Sequence, residues 1–371
     1  MKQATQSKQY EKINAFLIFF VIVSCQIGVG IHGFQRVIYE EAKQDAWISV
    51  VLSFILAHIV VFIMFKTLEK FDGLDIYGIQ KEVFGKILGK FLNLLYVIYC
   101  TFAFFAVLKN YIEVVNTWVF PYVNARFIAI AILLIVIYAV TGGLRVIVGI
   151  SFFSFFFLLW IPPVLIFPLY YSNPNFLLPI MEDWAGILRG VYLMSFTIVG
   201  FEILNIIYPY IKEKERKNAN KYAQIGLLAT FFLYITIMLI TIMYFSGPQL
   251  ERVIWATLTI FNIIEFPFVE RIEIITICLW LLIVLPNLCL YLWAAYRGVS
   301  SIFKIELKKF IWIFASIIFI FTFIIRSRTE INTMNNYFGQ ISFYVVFVYP
   351  FLLYLFASIK KRRRKGTGDS S

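Results

Sequence analysis

Charge is scarce in this chain. Asp, Glu, Lys and Arg make up 15% of the 371 residues, and there are only two histidines, His32 and His58. A soluble protein carries about a quarter charged residues. Here 61% of residues are hydrophobic and 19% aromatic, which excludes two or three water-soluble domains and implies an integral membrane protein. Catalytic signatures are missing as well. There is no Gly-x-Ser-x-Gly, no phosphate-cradling glycine loop and no metal triad, and neither histidine has a visible nucleophile partner. No enzyme activity, cofactor or metal site is expected. Cysteine is sparse: Cys25, Cys100, Cys278 and Cys289 all fall in apolar runs without metal-like spacing and read as small buried hydrophobes.

What is present is a series of apolar runs long enough to span a bilayer, at about 13–38, 46–66, 91–120, 126–142, 144–170, 187–211, 222–246, 268–296, 309–325 and 338–359. The expected fold class is an all-α polytopic membrane protein with ten transmembrane helices. Residues 1–12 are polar and lack an Ala-x-Ala-like cleavage site, so they are expected as a tail and the first run as a retained helix. The rest divides into a single transmembrane domain over 13–359 and a basic tail over 360–371. With basic residues near run ends counted with the adjoining loop, 24 of the 33 Lys and Arg residues belong to the two tails and the loops after even-numbered runs, and 8 to the opposite loops. Both termini are therefore expected to be cytoplasmic. The cluster Lys360-Lys361-Arg362-Arg363-Arg364-Lys365 suits the anionic leaflet. The net charge of +12 belongs to the lipid bilayer, and no nucleic-acid partner is expected.

Runs one and six are interrupted in corresponding places, at Gly28-Val29-Gly30 and at Val199-Gly200-Phe201-Glu202. Such paired interruptions point to a transporter-type site at the membrane midplane. Runs five apart in a chain of ten insert with opposite topology, so a five-plus-five inverted repeat is expected, about 13–170 and 187–359, with broken helices 1 and 6. Freed amides attract an anion and freed carbonyls a cation, and a zwitterion satisfies both. The candidate ligand-binding residues are Gln26, Gly28, Val29, Gly30, Ile31, Phe196, Thr197, Val199, Gly200, Phe201 and Glu202. A carboxylate would lie on the amides of 28–31, and an ammonium on carbonyls near Gln26 and 196–199. Phe196 and Phe201 would form side walls. Glu202, a lone acid at bilayer depth, could accept bonds from freed amides or carry a proton. The bland alternative is that each glycine only permits a kink or close packing.

A second layer or gate is expected from His32, Lys109, Glu113 and Asn287. Lys109 and Glu113 share a helix face at i, i+4 and can pair. His32 and Arg36 could line an outer vestibule, and Asn287 beside Pro286 could offer an amide to a cavity. His58 reads as bonded to a neighbouring helix. The segment 247–268 suits an amphipathic helix lying over the vestibule, or a partner surface.

The stretch Phe196-Thr197-Ile198-Val199-Gly200-Phe201-Glu202, with Gly28-Val29-Gly30, resembles the helix-six and helix-one motifs of the amino acid, polyamine and organocation superfamily. A narrower resemblance, over nearly the whole chain, is to the B subunits of GerA-type spore germinant receptors. It rests on Ala42-Lys43-Gln44-Asp45-Ala46-Trp47, Asn175-Phe176-Leu177-Leu178-Pro179, Tyr208-Pro209-Tyr210-Ile211-Lys212, Ser246-Gly247-Pro248 and Phe268-Val269-Glu270-Arg271-Ile272-Glu273 with Trp280. The resemblance implies a LeuT-like broken-helix fold in the spore inner membrane, beside an A subunit and a lipid-anchored C subunit. It implies a role in sensing a nutrient germinant, often an amino acid. A secondary amino acid transporter needs the same cavity and is the alternative.

Overall fold

The computed structural model describes residues 12–71, 73–264 and 271–368, with side chains to 362. The expected tail 1–12, except Lys12, lies outside the described residues. So do Phe268, Val269 and Glu270 of the resemblance and the side chains that end the basic cluster.

Among the described residues, each of the ten apolar runs is largely helical. Run one divides into α1 (Leu17–Gln26), a 3-10 turn (Val29–His32) and α2 (Phe34–Ala42). There follow α3 (Ala46–Lys70), α4 (Ile76–Phe84), α5 (Lys86–Trp118), α6 (Ala125–Thr141), α7 (Leu144–Leu158) and α8 (Trp184–Ile198). The chain continues with α9 (Arg216–Tyr244), α10 (Ile272–Ile302), α11 (Leu307–Phe321), α12 (Arg328–Ser342) and α13 (Tyr349–Gly368), the last two joined by a π-helical stretch, Phe343–Val348. Among the described residues, six helical stretches are long and apolar enough to cross a membrane. The pair Trp184–Ile198 and Phe201–Tyr210, bent by 56°, makes a seventh.

Local chemistry sets the boundaries. Asp75, Asn124 and Asp183 each accept a backbone N–H at the start of a helix, and Ser327 with Glu330 forms a capping box at α12. Gly143, at φ 80°, makes the expected turn between runs four and five. α4 was not foreseen: its apolar face is one short amphipathic stripe that packs against α5 within a loop otherwise read as polar. Run ten starts ten residues earlier than its hydropathy suggests, because Asn332, Asn335 and Asn336 lower the average without breaking the helix. At its other end the helix continues through the basic cluster. Among the described residues, the segment after Ser246 is two short helices, Gly247–Leu250 and Ala256–Phe261, and not one amphipathic helix; positions 265–268 of that segment lie outside them. Cys278 is exposed on the helical surface, whereas the other three cysteines are buried as expected.

The packing follows a pattern of exchange. Run one packs on run six (α2 on α8), two on seven (α3 on α9), three on eight (α5 on α10) and four on nine (α6 on α11). The contact of α1 with α9 is mirrored by α8 with α3, and that of α1 with α7 by α8 with α12. Next to the chain start, Ile13 N donates to Tyr210 O at 2.8 Å and Lys212 N to Ile13 O at 3.0 Å, tying the beginning of run one to the end of run six.

The two interruptions fit into each other at Gly200. Its φ of 123° disfavours any L side chain, and a Cβ there would lie 2.4 Å from Cys25 O. Gly200→Ala is expected to destabilise the protein by more than the ~1–2 kcal/mol of the backbone conformation alone. Gly149→Ala, where a Cβ meets nothing within 4 Å, serves as the control in thermal unfolding in detergent. Equal melting temperatures for the two variants would refute this account of Gly200.

Candidate functional site

A cavity of about 480 Å³ opens at the end of run one away from Ile13 and narrows towards the interruptions. Its mouth is bordered by Arg36, Glu40 and Arg328, and its wall by Asn110 of α5, Ile254 and Trp255, and a polar stripe of α12 formed by Asn332, Asn335, Asn336, Gly339 and Gln340. Beneath it lies a second space of about 50 Å³, bordered by Cys25, Gln26, Gly28, Val29, Gly30, Val199, Asn287, Tyr291 and Phe338. Val29, Gly30, Asn110, Phe196 and Thr197 border both. Of the expected residues, Gln26, Gly28, Val29, Gly30, Phe196, Thr197 and Val199 border one or both of these adjoining spaces, and Ile31, Gly200, Phe201 and Glu202 border neither.

The carbonyls released at the breaks are held by side chains. Asn287 Nδ2 donates to Cys25 O at 2.6 Å, Gln26 Nε2 to Ile198 O at 2.8 Å, and Tyr234 OH to Gln26 O at 3.0 Å and Thr197 O at 3.4 Å. Trp280 Nε1 donates to Gly28 O at 3.4 Å. Of the carbonyls expected to bind an ammonium, those of Gln26, Thr197 and Ile198 thus already hold protein donors.

Glu202 borders neither cavity. It is buried one layer below, where Oε1 accepts from Tyr99 OH at 2.7 Å and Tyr291 OH at 2.8 Å, and Oε2 from Gly200 N at 2.7 Å. Tyr291 reaches the small cavity with the same ring, so the acid is one residue removed from it. Phe201 is not a side wall: the turn at Gly200 carries it away from the cavity into the core against Phe347, 5.6 Å between rings. Ile31 is buried away from both cavities, and its carbonyl accepts from Thr257 Oγ1 at 2.9 Å and Gln35 Nε2 at 3.3 Å.

The expected gate is rearranged. Glu113 pairs with Arg328 at 2.7 Å and not with Lys109, because Arg328, at the first turn of α12, also lies over the Trp255 ring at 5.1 Å. Lys109 is buried and has no ion pair among the described residues. Arg36 lines the mouth and pairs with Glu40 at 2.8 Å, but His32 is buried behind it against Trp280, ring centroids 4.3 Å apart. His58 is bonded to Gln224 of α9, as expected.

Sequence reasoning missed Tyr99, Tyr291, Tyr234 and Asn110, which nothing distinguishes among many tyrosines and asparagines. The α12 stripe had a readable signal: positions 332, 335, 336, 339 and 340 follow i, i+3, i+4, i+7, i+8, a single helix face. Removing Glu202 strips the acceptor from two buried hydroxyls and one amide, each worth ~1–3 kcal/mol when orphaned. Glu202→Ala is expected to lower the melting temperature in detergent clearly more than Glu202→Gln, which keeps the shape and one oxygen. Equal losses would show that the hydrogen bonds do not carry the role of Glu202.

Comparisons with known proteins bear on the family and the fold. Residues 12–331 match a family described as "Spore germination protein". The chain is 36% identical over 359 residues to spore germination protein GerQB of Bacillus cereus, covering 95% of this chain and 98% of that one. It is 24% identical over 360 residues to spore germination protein A2 of Bacillus subtilis (strain 168), covering 95% and 97%. Among solved structures it resembles Mhp1, a nucleobase-cation-symport-1 family transporter, with a TM-score of 0.61 at 12% identity over 90% of this chain and 79% of that one. It also resembles a manganese transporter of Eremococcus coleocola, with a TM-score of 0.60 at 12% identity over 91% and 78%. The fold is thus that of broken-helix membrane transporters, and the chain belongs to the spore germination protein family.

Proposed function

We propose that this chain is the nutrient-sensing subunit of a spore germination receptor. It binds a small germinant, an amino acid, between runs one, three, six and eight, and signals to A and C subunits of the same receptor. The observation that carries this reading is the pair of adjoining cavities, sharing Val29, Gly30, Asn110, Phe196 and Thr197, that lie between the charged mouth and the two facing interruptions. Unwound backbone at that depth is tolerated only around a cavity or inside protein. The ligand would rest on Gly28, Val29, Gly30, Thr197 and Val199, with Phe196 and Phe338 beside it and Asn110 above. Glu202 acts beneath, through Tyr291, and His32, Lys109 and Glu113 support the outer half.

In this reading 13–359 form a single transmembrane domain of ten crossings, with both termini cytoplasmic in the spore inner membrane. The exchanged packing of runs one to four with six to nine supports a five-plus-five inverted repeat. The excess of Lys and Arg in the tails and the loops after even-numbered runs supports the orientation. The ligand shifts the receptor only if it binds one arrangement of the broken helices better than the other. It can do so by contacting both interruptions at once.

Gly28 provides a clean test. Its φ of −108° accepts any side chain and a Cβ there meets nothing within 4 Å, and since Gly28 borders the small cavity, Gly28→Leu is expected to occupy that space. Purified protein, offered a panel of labelled L-amino acids, sugars and nucleosides, is expected to bind one class saturably, and Gly28→Leu to weaken it at least about tenfold, roughly 1.4 kcal/mol. The same compound should not accumulate in sealed liposomes. Uptake that Gly28→Leu abolishes would make the chain a secondary transporter, and full binding by Gly28→Leu would remove the site from this cavity.

A further inference from the structure

Gln26 and Asn287 approach the small cavity from two different helices, α1 and α10, and both are nearly inaccessible, at 1% and 2% exposure. Their amide nitrogens are committed to Ile198 O and Cys25 O. A backbone carbonyl accepts only from a donor, so turning either amide end for end would set two oxygens against each other. This fixes Gln26 Oε1 and Asn287 Oδ1 as acceptors, and neither has a partner. Buried acceptors without donors are rare and call for a ligand or water. Among the residues bordering this cavity there is no Asp, Glu, Lys or Arg, and the Tyr291 hydroxyl is engaged by Glu202.

From this arrangement we propose that the Gln26 and Asn287 oxygens form the subsite for one primary ammonium group of the ligand. This rests on the reading that a ligand occupies the interruptions, and it moves the recognition of the cation from backbone carbonyls to two side-chain amides. Two of the three N–H bonds of an ammonium would go to the two amide oxygens, and Thr197, a hydroxyl-bearing residue, borders the same space. The rings of Phe196 and Phe338 there add a favourable surface for a cation. A hard metal cation such as Ca²⁺ takes six or more oxygens, whereas the carbonyls of Cys25, Gln26, Thr197 and Ile198 already hold donors. A ligand presenting only acceptors at this point would face two fixed acceptors.

The test compares isosteric pairs on the purified full chain: L-alanine with L-lactate, and L-valine with 2-hydroxyisovalerate. Inosine and glucose serve as compounds without ammonium, and NaCl and KCl as cations alone. The variants are Gln26→Met and Asn287→Leu. The amine is expected to bind about tenfold or more tightly than its hydroxy analogue, and each variant to bring that ratio towards one. A merely structural effect would weaken both members equally and leave the ratio unchanged, which would overturn the assignment. Tight binding of an ammonium-free compound, abolished by Gly28→Leu but unchanged in both variants, would overturn the subsite and leave the ligand site standing. Binding of Na⁺ or K⁺ alone, lost in the variants, would reassign the oxygens to a metal cation. Binding of no compound would remove the ligand site and the subsite together.

Discussion

A helix interrupted in an apolar interior releases carbonyl and amide groups that lipid cannot satisfy, and each unsatisfied group costs several kcal/mol. The structure meets this demand at the meeting point of runs one and six with side chains drawn from other helices. Asn287 of α10 holds Cys25 O, Tyr234 of α9 holds Gln26 O and Thr197 O, and Gln26 crosses from one broken helix to hold Ile198 O of the other. The helices are therefore positioned by the hydrogen-bond needs of the breaks as well as by apolar packing. Gly200 is the residue that lets the two interruptions touch, since only a hydrogen fits against Cys25 O.

From this follows the layered construction of the site. The backbone breaks and their holders form a floor, with the small cavity above it and the amide-lined vestibule above that. Below the floor, Glu202 ties α5, α10 and the turn at Gly200 through Tyr99, Tyr291 and its own backbone neighbour. Tyr99 in turn stacks near Phe338 of α12, at 6.0 Å between rings, and Phe338 borders the cavity. A shift of the helix-six break would thus be felt by α5 and α10 through short polar contacts and by α12 through the Tyr99–Phe338 ring contact, and packed interiors pass such shifts on without absorbing them.

The parts legible in the sequence were those with a strong periodic or conformational cost. The apolar runs, the Gly142-Gly143 turn, the paired breaks at Gly28 and Gly200 and the family followed from residues that hydrocarbon makes expensive or that glycine alone permits. What was not legible depends on long-range partners. Glu202 was correctly singled out as an acid needing satisfaction, but its donors Tyr99 and Tyr291 lie about a hundred residues away on either side and carry no local mark. Lys109 and Glu113 had the spacing of a pair, yet a guanidinium at the start of α12 reaches Glu113 instead, as often happens where tertiary contacts compete with an i, i+4 neighbour. Phe201 looked like a wall residue because it follows the break, and the positive φ of Gly200 turned it inward. The amide stripe on α12 was visible in spacing but hidden by averaging, since a hydropathy window treats a cavity-facing asparagine as a loop residue.

The distinction between sensing and transport then comes down to which contacts a ligand changes. A transporter must let the bound compound leave on the far side, which requires the tie between the beginning of run one and the end of run six to open. Here that tie is more than the two backbone hydrogen bonds of Ile13. Lys12 Nζ donates to Pro209 O at 3.0 Å, Ala15 N to Glu215 Oε2 at 2.8 Å, and Arg145 Nε to Lys12 O at 3.1 Å, so the closure recruits a third helix. A sensor has no need to break this closure. It needs only a displacement of the broken helices that a partner can read, and on the proposed reading the helix-six turn, held by hydrogen bonds to α1, α5 and α10, is the element that a ligand in the cavity above it would displace.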